Sequence, residues 1–271
     1  MINYDRAKEL YAQGKSLRAI SQELNINRKS LSKKFKEDGI IIRDPNKNSV
    51  SKAKRIHTLN DSIFEIIDTE EKAYWLGFLY ADGYININHG VELCLAECDY
   101  EHLVKFQSFM ECDNDITYRP DTKSYRISIY SKKVAQDLIN LGCFQAKSLI
   151  LNFPTSEQVP EELIHHFMRG YFDGDGSIAT SAPNRGTRRQ LRFSILGTNA
   201  FLDGYDKRIL NILKRTTPNK RGRDGEAYHI QYSGNKQVGI IFDYLYNNST
   251  IYLDRKYTKF IAVLGTNRKD S

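Results

Sequence analysis

The sequence runs to 271 residues, 40% apolar and 11% aromatic, with 40 lysines and arginines against 33 aspartates and glutamates, a formal charge of +7. Such a length predicts about two domains, the apolar content excludes a disordered chain, and a clustered basic excess favours a polyanionic partner. The N-terminal MINYDRAKEL lacks an apolar signal region and nowhere do eighteen apolar residues run together, so neither secretion nor membrane spanning is expected.

Cys94, Cys98, Cys112 and Cys143 form no CxxC pair and have no histidine at zinc spacing. They read as reduced thiols of a reducing, cytoplasmic compartment.

Residues 1–43 predict a small all-α unit. Tyr4, Ala7, Leu10 and Tyr11 recur at helical spacing up to Gly14, Ser16 caps a second helix carrying Leu17, Ile20 and Leu24, and Asn27 caps a third over Arg28–Asp38, stopped by Gly39. A tight turn at Asn25-Ile26 makes this a helix-turn-helix. The outer face of its third helix offers Arg28, Lys29, Ser30, Lys33, Lys34 and Lys36, the composition a recognition helix needs for phosphates and base edges. A solvated basic helix on an ordinary bundle is the bland alternative. Residues 44–68, with Pro45 and KNSVSKAKR, read as a basic linker.

Two repeats follow, at 69–152 and 153–271. The first is read as a helix over Glu70–Asp82, strands near Tyr84–Ile87 and Val91–Glu97, a helix over Tyr100–Met110, strands at Ile116–Arg119 and Ser124–Tyr130, and a helix near Lys132–Leu141. The second repeats the order: helix Pro160–Asp175, strands Ser177–Thr180 and Gln190–Leu196, helix Asn199–Leu213, strands near Arg221–Arg223 and Tyr228–Ser233, helix Lys236–Tyr246. Alternation of Arg192 and Ser194 with Leu191, Phe193 and Ile195, and of Arg126, Ser128 and Tyr130 with Tyr125, Ile127 and Ile129, predicts antiparallel sheets with one face on helices and one polar, basic face suited to a duplex groove.

The two motif helices end alike, in WLGFLYADG (75–83) and MRGYFDGDG (168–176). Gly77 and Ala81 lie one turn apart, as do Gly170 and Gly174. Small residues at that spacing let two helix backbones approach closely, which accounts for interior glycine despite a cost of about 1 kcal/mol. Packing through these faces generates a pseudo-twofold axis and sets Asp82 and Asp175 side by side. Both stand at helix C-termini, where orphan carbonyls and the macrodipole are already negative. Divalent metal is therefore expected, with Asp82, Asp175 and the carbonyls of Ala81 and Gly174 as hard oxygen ligands, an arrangement suited to Mg²⁺ with several retained waters. DGDGSI resembles a calcium loop, but Gly176 at the loop's sixth position puts Tyr171 first and Ala182 twelfth, neither of them a suitable ligand.

These residues resemble the single-chain form of the LAGLIDADG homing endonucleases, with two motif copies and an added N-terminal helix-turn-helix; the resemblance covers residues 70–264. It implies an α+β fold of two αββαββα repeats whose saddle-shaped antiparallel sheets straddle duplex DNA. It further implies that Asp82 and Asp175 bind Mg²⁺, with Mn²⁺ able to substitute, and cut both strands across the minor groove, leaving short 3′ overhangs. A basic residue is implied near each active site; Lys147 and Lys256 match, with Lys132 or Lys236 as alternatives and a solvated surface charge as the bland reading. Tyr80 stands where the family commonly has an acid and Asp173 has one, an asymmetry that fits unequal half-sites.

Basic runs at NRGTRRQLR and KRTTPNKRGR supply Arg188, Arg221 and Arg223 for phosphate contact, while Asn86, Asn88, Arg126, Ser128, Gln190, Arg192, His229 and Gln231 are the strand and turn residues placed for base readout. The function expected is thus a monomeric, Mg²⁺-dependent, site-specific endonuclease acting on long asymmetric double-stranded DNA targets. A non-cleaving DNA-binding regulator and an RNA maturase are the alternatives. An intein is not expected, since the chain starts at Met1 and ends NRKDS without a His-Asn junction.

Overall fold

The computed structural model describes residues 4–40, 42, 57–144, 150–180, 190–225 and 227–268. The chain divides into two compact units, Met1–Ile56 and His57–Ser271.

The N-terminal unit packs α1 (Tyr4–Ala12), α2 (Leu17–Glu23) and α3 (Arg28–Glu37) around Ala7, Leu10, Tyr11, Ile20, Ile26, Leu31 and Phe35. Its caps are the predicted ones. Ser16 Oγ accepts from the amide of Ala19, and Asn27 Oδ1 accepts from those of Lys29 and Ser30, satisfying amides that the helix itself leaves orphaned. Asn25 at φ 52 makes the turn, and buried Ile26 anchors it.

The second unit is a duplicated α+β fold. Its first repeat runs α4 (Glu70–Asp82), β1 (Gly83–Ile85), β2 (Gly90–Ala96), α5 (Tyr100–Phe109), β3 (Thr117–Arg119), β4 (Ser124–Tyr130) and α6 (Lys132–Asn140). The second runs α7 (Ile164–Asp175), β5 (Gly176–Thr180), β6 (Leu191–Gly197), α8 (Asn199–Ile212), β7 (Gly222–Asp224), β8 (Ala227–Ser233) and α9 (Asn235–Tyr246), followed by α10 (Asp254–Arg268). The two antiparallel sheets have equivalent orders, β1-β2-β4-β3 and β5-β6-β8-β7. One continuous core joins them through α4 and α7, which are buried on nearly all sides.

Four features differ from the sequence expectation. Residues 57–68, read as linker, belong to the second unit, because Ile63, Phe64 and Ile67 are buried in its core. Strand β1 ends at Ile85 because Asn86 Oδ1 accepts from the amides of Asn88 and Gly90 and closes the turn. Pro160 precedes a single 3₁₀ turn, Glu161–Leu163, that leads into α7. Helix α10 follows α9, has no counterpart after α6 among the described residues, and its buried Phe260 joins the core. No helix among the described residues is long and apolar enough to cross a membrane.

Candidate active site

Helices α4 and α7 meet through their small residues. A methyl group on Gly77 would collide with the carbonyl oxygen of Phe167, and one on Gly170 with that of Tyr74. Tyr74 and Phe167 each precede a motif glycine by three residues, so the contact is reciprocal and marks the pseudo-twofold axis. One turn on, Gly174 lies against Ala81, and a side-chain carbon on Gly174 would stand 3.3 Å from Asp82 Oδ2. Asp82, exposed, and Asp175, half-buried, thus end their helices at the same place. Buried Tyr171 lies beside both. Burial, then the charge of Asp175 and its hydrogen bond, then the charge of Asp82, push its pKa well above the ordinary phenol value.

The terminus of α7 carries its own cation. Lys256, at 4% exposure, points its ammonium into the carbonyl oxygens of Phe172 (2.7 Å), Asp173 (2.7 Å), Gly174 (3.0 Å) and Gly176 (2.6 Å). Its three hydrogens are shared among four carbonyls at the end of α7 and the start of β5. Burial lowers its pKa to about 8, with Asp173, Asp82 and Asp175 opposing the shift and Arg255 adding to it. The Gly174 carbonyl, expected as a metal ligand, is thereby occupied by a positive charge. In the first repeat the carbonyl of Leu79, equivalent to Phe172, accepts from Cys143 Sγ at 3.5 Å.

A buried polar network ties the repeats together behind the carboxylates. Arg169, wholly buried, donates to Ile251 O (2.9 Å), Leu245 O (2.8 Å) and Glu70 Oε1 (2.7 Å), the last across the repeat boundary. Buried Asp173 accepts from Tyr246 Oη (2.5 Å), Tyr74 Oη (2.9 Å) and the Leu253 amide (2.8 Å). Burial pushes its carboxyl above the usual range, against Lys256 and these donors. Tyr74 Oη also meets His102 Nε2 at 2.9 Å, and since the hydroxyl donates to Asp173, the imidazole donates to it. His102 Nδ1 has no partner, and burial lowers the His102 pKa to about 3. The N-terminus of α10 is fastened to the first repeat by Arg255 to Asp99 and Lys105 to Asp254, both at 2.9 Å.

Solved structures share this architecture. The chain matches the crystal structure of the I-LtrWI LAGLIDADG homing endonuclease bound to target DNA at TM-score 0.50 and 12% identity, over 74% of this chain and 92% of that one. The LAGLIDADG meganuclease I-AabMI bound to uncleaved DNA matches at 0.50 and 13%, over 73% and 91%, and I-GzeII in complex with its DNA target at 0.50 and 11%, over 76% and 92%. The chain has the LAGLIDADG fold. No protein-family model matches it, and no curated protein matches it in sequence.

In this chain of LAGLIDADG fold, strand register decides which predicted residues share the outward sheet faces. On the second sheet Arg192, Ser194, Gln231 and His229 line the face away from the helices, with Arg192 opposite Ser233 and Ser194 opposite Gln231. Gln190, exposed, leads into β6. Arg223 pairs with Tyr228 and so falls on the opposite, helix-side face, 6.0 Å from that ring. Arg221 is committed to α8, donating to Asn199 Oδ1 at 2.7 Å and to Asp203.

On the first sheet the outward face carries Tyr84, Glu92, Cys94, Thr117, Arg119, Arg126, Ser128 and Tyr130. Its two arginines are paired, Arg126 Nη1 at 3.3 Å from Glu92 Oε2 and Arg119 Nη2 at 3.2 Å from Asp121 Oδ2, so it is less basic than expected. Asn86 is spent on its turn and on Glu92 at 3.1 Å, leaving Asn88 exposed at the turn's tip.

Lys147 and Arg188 lie outside the described residues. Lys132 and Lys236 begin α6 and α9 just after Tyr130 and Ser233, each three residues along the strands from the rows of Gly83 and Gly176, whereas Lys256 is the described lysine that meets the motif helix end. In the N-terminal unit Arg28, Lys29, Ser30 and Lys33 are exposed, whereas Lys34 pairs with Asp38 at 3.0 Å. Sequence reading missed the cleft formed beside Asp175 by Gly176, Ser177, Ile178, Arg255, Lys256 and Lys259, because α10 went unrecognised.

Proposed function

We propose that this chain is a site-specific double-strand DNA endonuclease whose motif carboxylates act with Mg²⁺. The observation that carries the proposal is the packing of Gly174 on Ala81 beside Asp82, which brings an acid from each repeat to one point between two equivalent sheets. Solved proteins of this fold are described bound to DNA targets; here one chain supplies both acids, so a monomer suffices.

The donors fit a hard cation. Asp82, Asp175 and the carbonyl of Ala81 are all oxygen, few enough that an octahedral ion keeps several waters, and no third acid, histidine or cysteine converges with them among the described residues. Such an ion, when bound, lowers the pKa of a coordinated water and stabilises the departing oxygen of the phosphodiester.

The remaining work falls to the chain. Lys256 fixes the last turn of α7 and so the position of Asp175, and it keeps that helix end electrostatically tolerable. The cleft of Ser177, Arg255 and Lys259 offers hydroxyl and positive charge to the phosphate beside Asp175. Sheet faces orient the duplex, and the exposed basic face of α3 adds phosphate contacts. Purified protein with Mg²⁺ is expected to linearise a plasmid carrying its target, and chelation to prevent this. Tight binding without cleavage in Mg²⁺ or Mn²⁺ identifies a DNA-binding regulator instead.

A further inference from the structure

The two outward sheet faces carry different chemistry. On the second sheet Arg192, Ser194, His229 and Gln231 present hydrogen-bonding groups. On the first, three large apolar groups stand in solvent: Tyr84 at 55% exposure, Tyr130 at 66% and Ile87, in the β1–β2 turn, at 82%. None of the large exposed apolar side chains among the described residues lies on the second sheet's outward face.

This patch is built. Gly90 faces Tyr130 in the register, and a side-chain carbon on Gly90 would come within 2.8 Å of the Tyr130 ring, so glycine there lets the ring lie across β2 toward the turn that holds Ile87. Glu92 and Arg126 beside it pair with one another at 3.3 Å. Tyr84 follows Asp82 by two residues and opposes Glu92, so the patch continues directly from the cleavage site. Strand spacing of about 4.8 Å and a rise of about 3.4 Å per residue put Tyr84 and Tyr130 roughly 12 Å apart, about three base-pair steps.

In a major groove the one apolar group on a base edge is the thymine C5-methyl. We infer that the first repeat reads its half-site through thymine methyl groups, with Tyr84 next to the cut and Tyr130 and Ile87 farther out, while the second repeat reads by hydrogen bonds. This inference rests on the DNA-binding reading above.

The test recovers the target by selecting full-length protein against a randomised duplex library. Each thymine is then replaced by deoxyuridine, which removes only the methyl. In the half-site under the first repeat, at least two thymines about three steps apart are expected, each weakening binding about fourfold on replacement. Tyr130→Ala and Tyr84→Ser should each abolish the thymine preference at one of these positions and leave the other half-site's profile unchanged. Both residues are exposed, and thermal unfolding checks that the variants are folded. Deoxyuridine tolerated within twofold throughout that half-site, or an unchanged thymine preference in both variants, overturns the inference while leaving DNA recognition intact. Failure to select any duplex overturns the endonuclease reading and this inference with it.

Discussion

Lys256 shows how one side chain can settle a helix end. Both motif acids add negative charge where the macrodipole is already negative, and at α7 the protein answers with an ammonium under four carbonyls. Replacing it, as in Lys256→Met, takes a charged donor away from those buried carbonyls and is expected to cost about 3 kcal/mol in urea unfolding. His102 predicts a pH effect of definite sign. Its folded pKa of about 3 lies below the ordinary 6.5, so as pH falls below 6.5 the unfolded chain takes up a proton that the folded one refuses. Stability is therefore full above pH 6.5 and declines from there toward pH 3, and His102→Phe should flatten that decline in denaturation curves at pH 7 and 5.

Residues of this kind were unequally legible. Asp82 and Asp175 declared themselves by repetition. The partners of Lys256 are carbonyls some eighty positions earlier in the chain, which no local pattern reveals. Arg169 and Asp173 stand one turn apart among Phe167, Met168, Tyr171 and Phe172, a sign of a buried polar network that could have been read.

At the scale of elements, the glycine pairs predicted the α4–α7 crossing correctly because close approach leaves a sequence trace. Gly170→Ala should drive a methyl into the Tyr74 carbonyl and destabilise by about 3 kcal/mol. Gly239→Ala is the matched contrast: inside α9, with its nearest neighbour Leu264 Cδ2 at 3.7 Å, alanine should raise stability by up to about 1 kcal/mol. Thermal unfolding of the pair decides whether packing, rather than helix propensity, selects glycine in the motif. The face of Arg223 was not legible because β7 has three residues, too few for alternation to show one, and only pairing with Tyr228 fixes it. Helix α10 was missed because it lies beyond the repeated element order that guided the reading, although Phe260 is buried and Tyr257, Val263 and Leu264 pack on the core.

For the molecule as a whole, fold class and duplication were plain in the repeated element order, whereas the unlike faces of the two sheets were not, since Glu92 neutralises Arg126 only across strands. The N-terminal unit has its own core, so deleting residues 1–43 should leave the second unit folded. The expected result is weaker binding with a shallower salt dependence, by about three units of slope if Arg28, Lys29 and Lys33 each meet a phosphate, with cutting retained at high protein concentration. The central claim is that each repeat contributes one carboxylate to a single cation-dependent cutting centre. Cleavage of a target duplex labelled on each strand, in Mg²⁺, with the native chain, Asp82→Asn and Asp175→Asn, tests it most directly. The account predicts that the native protein cuts both strands with short 3′ overhangs and that either substitution abolishes double-strand cutting while binding persists. Full double-strand cleavage by either variant would contradict it.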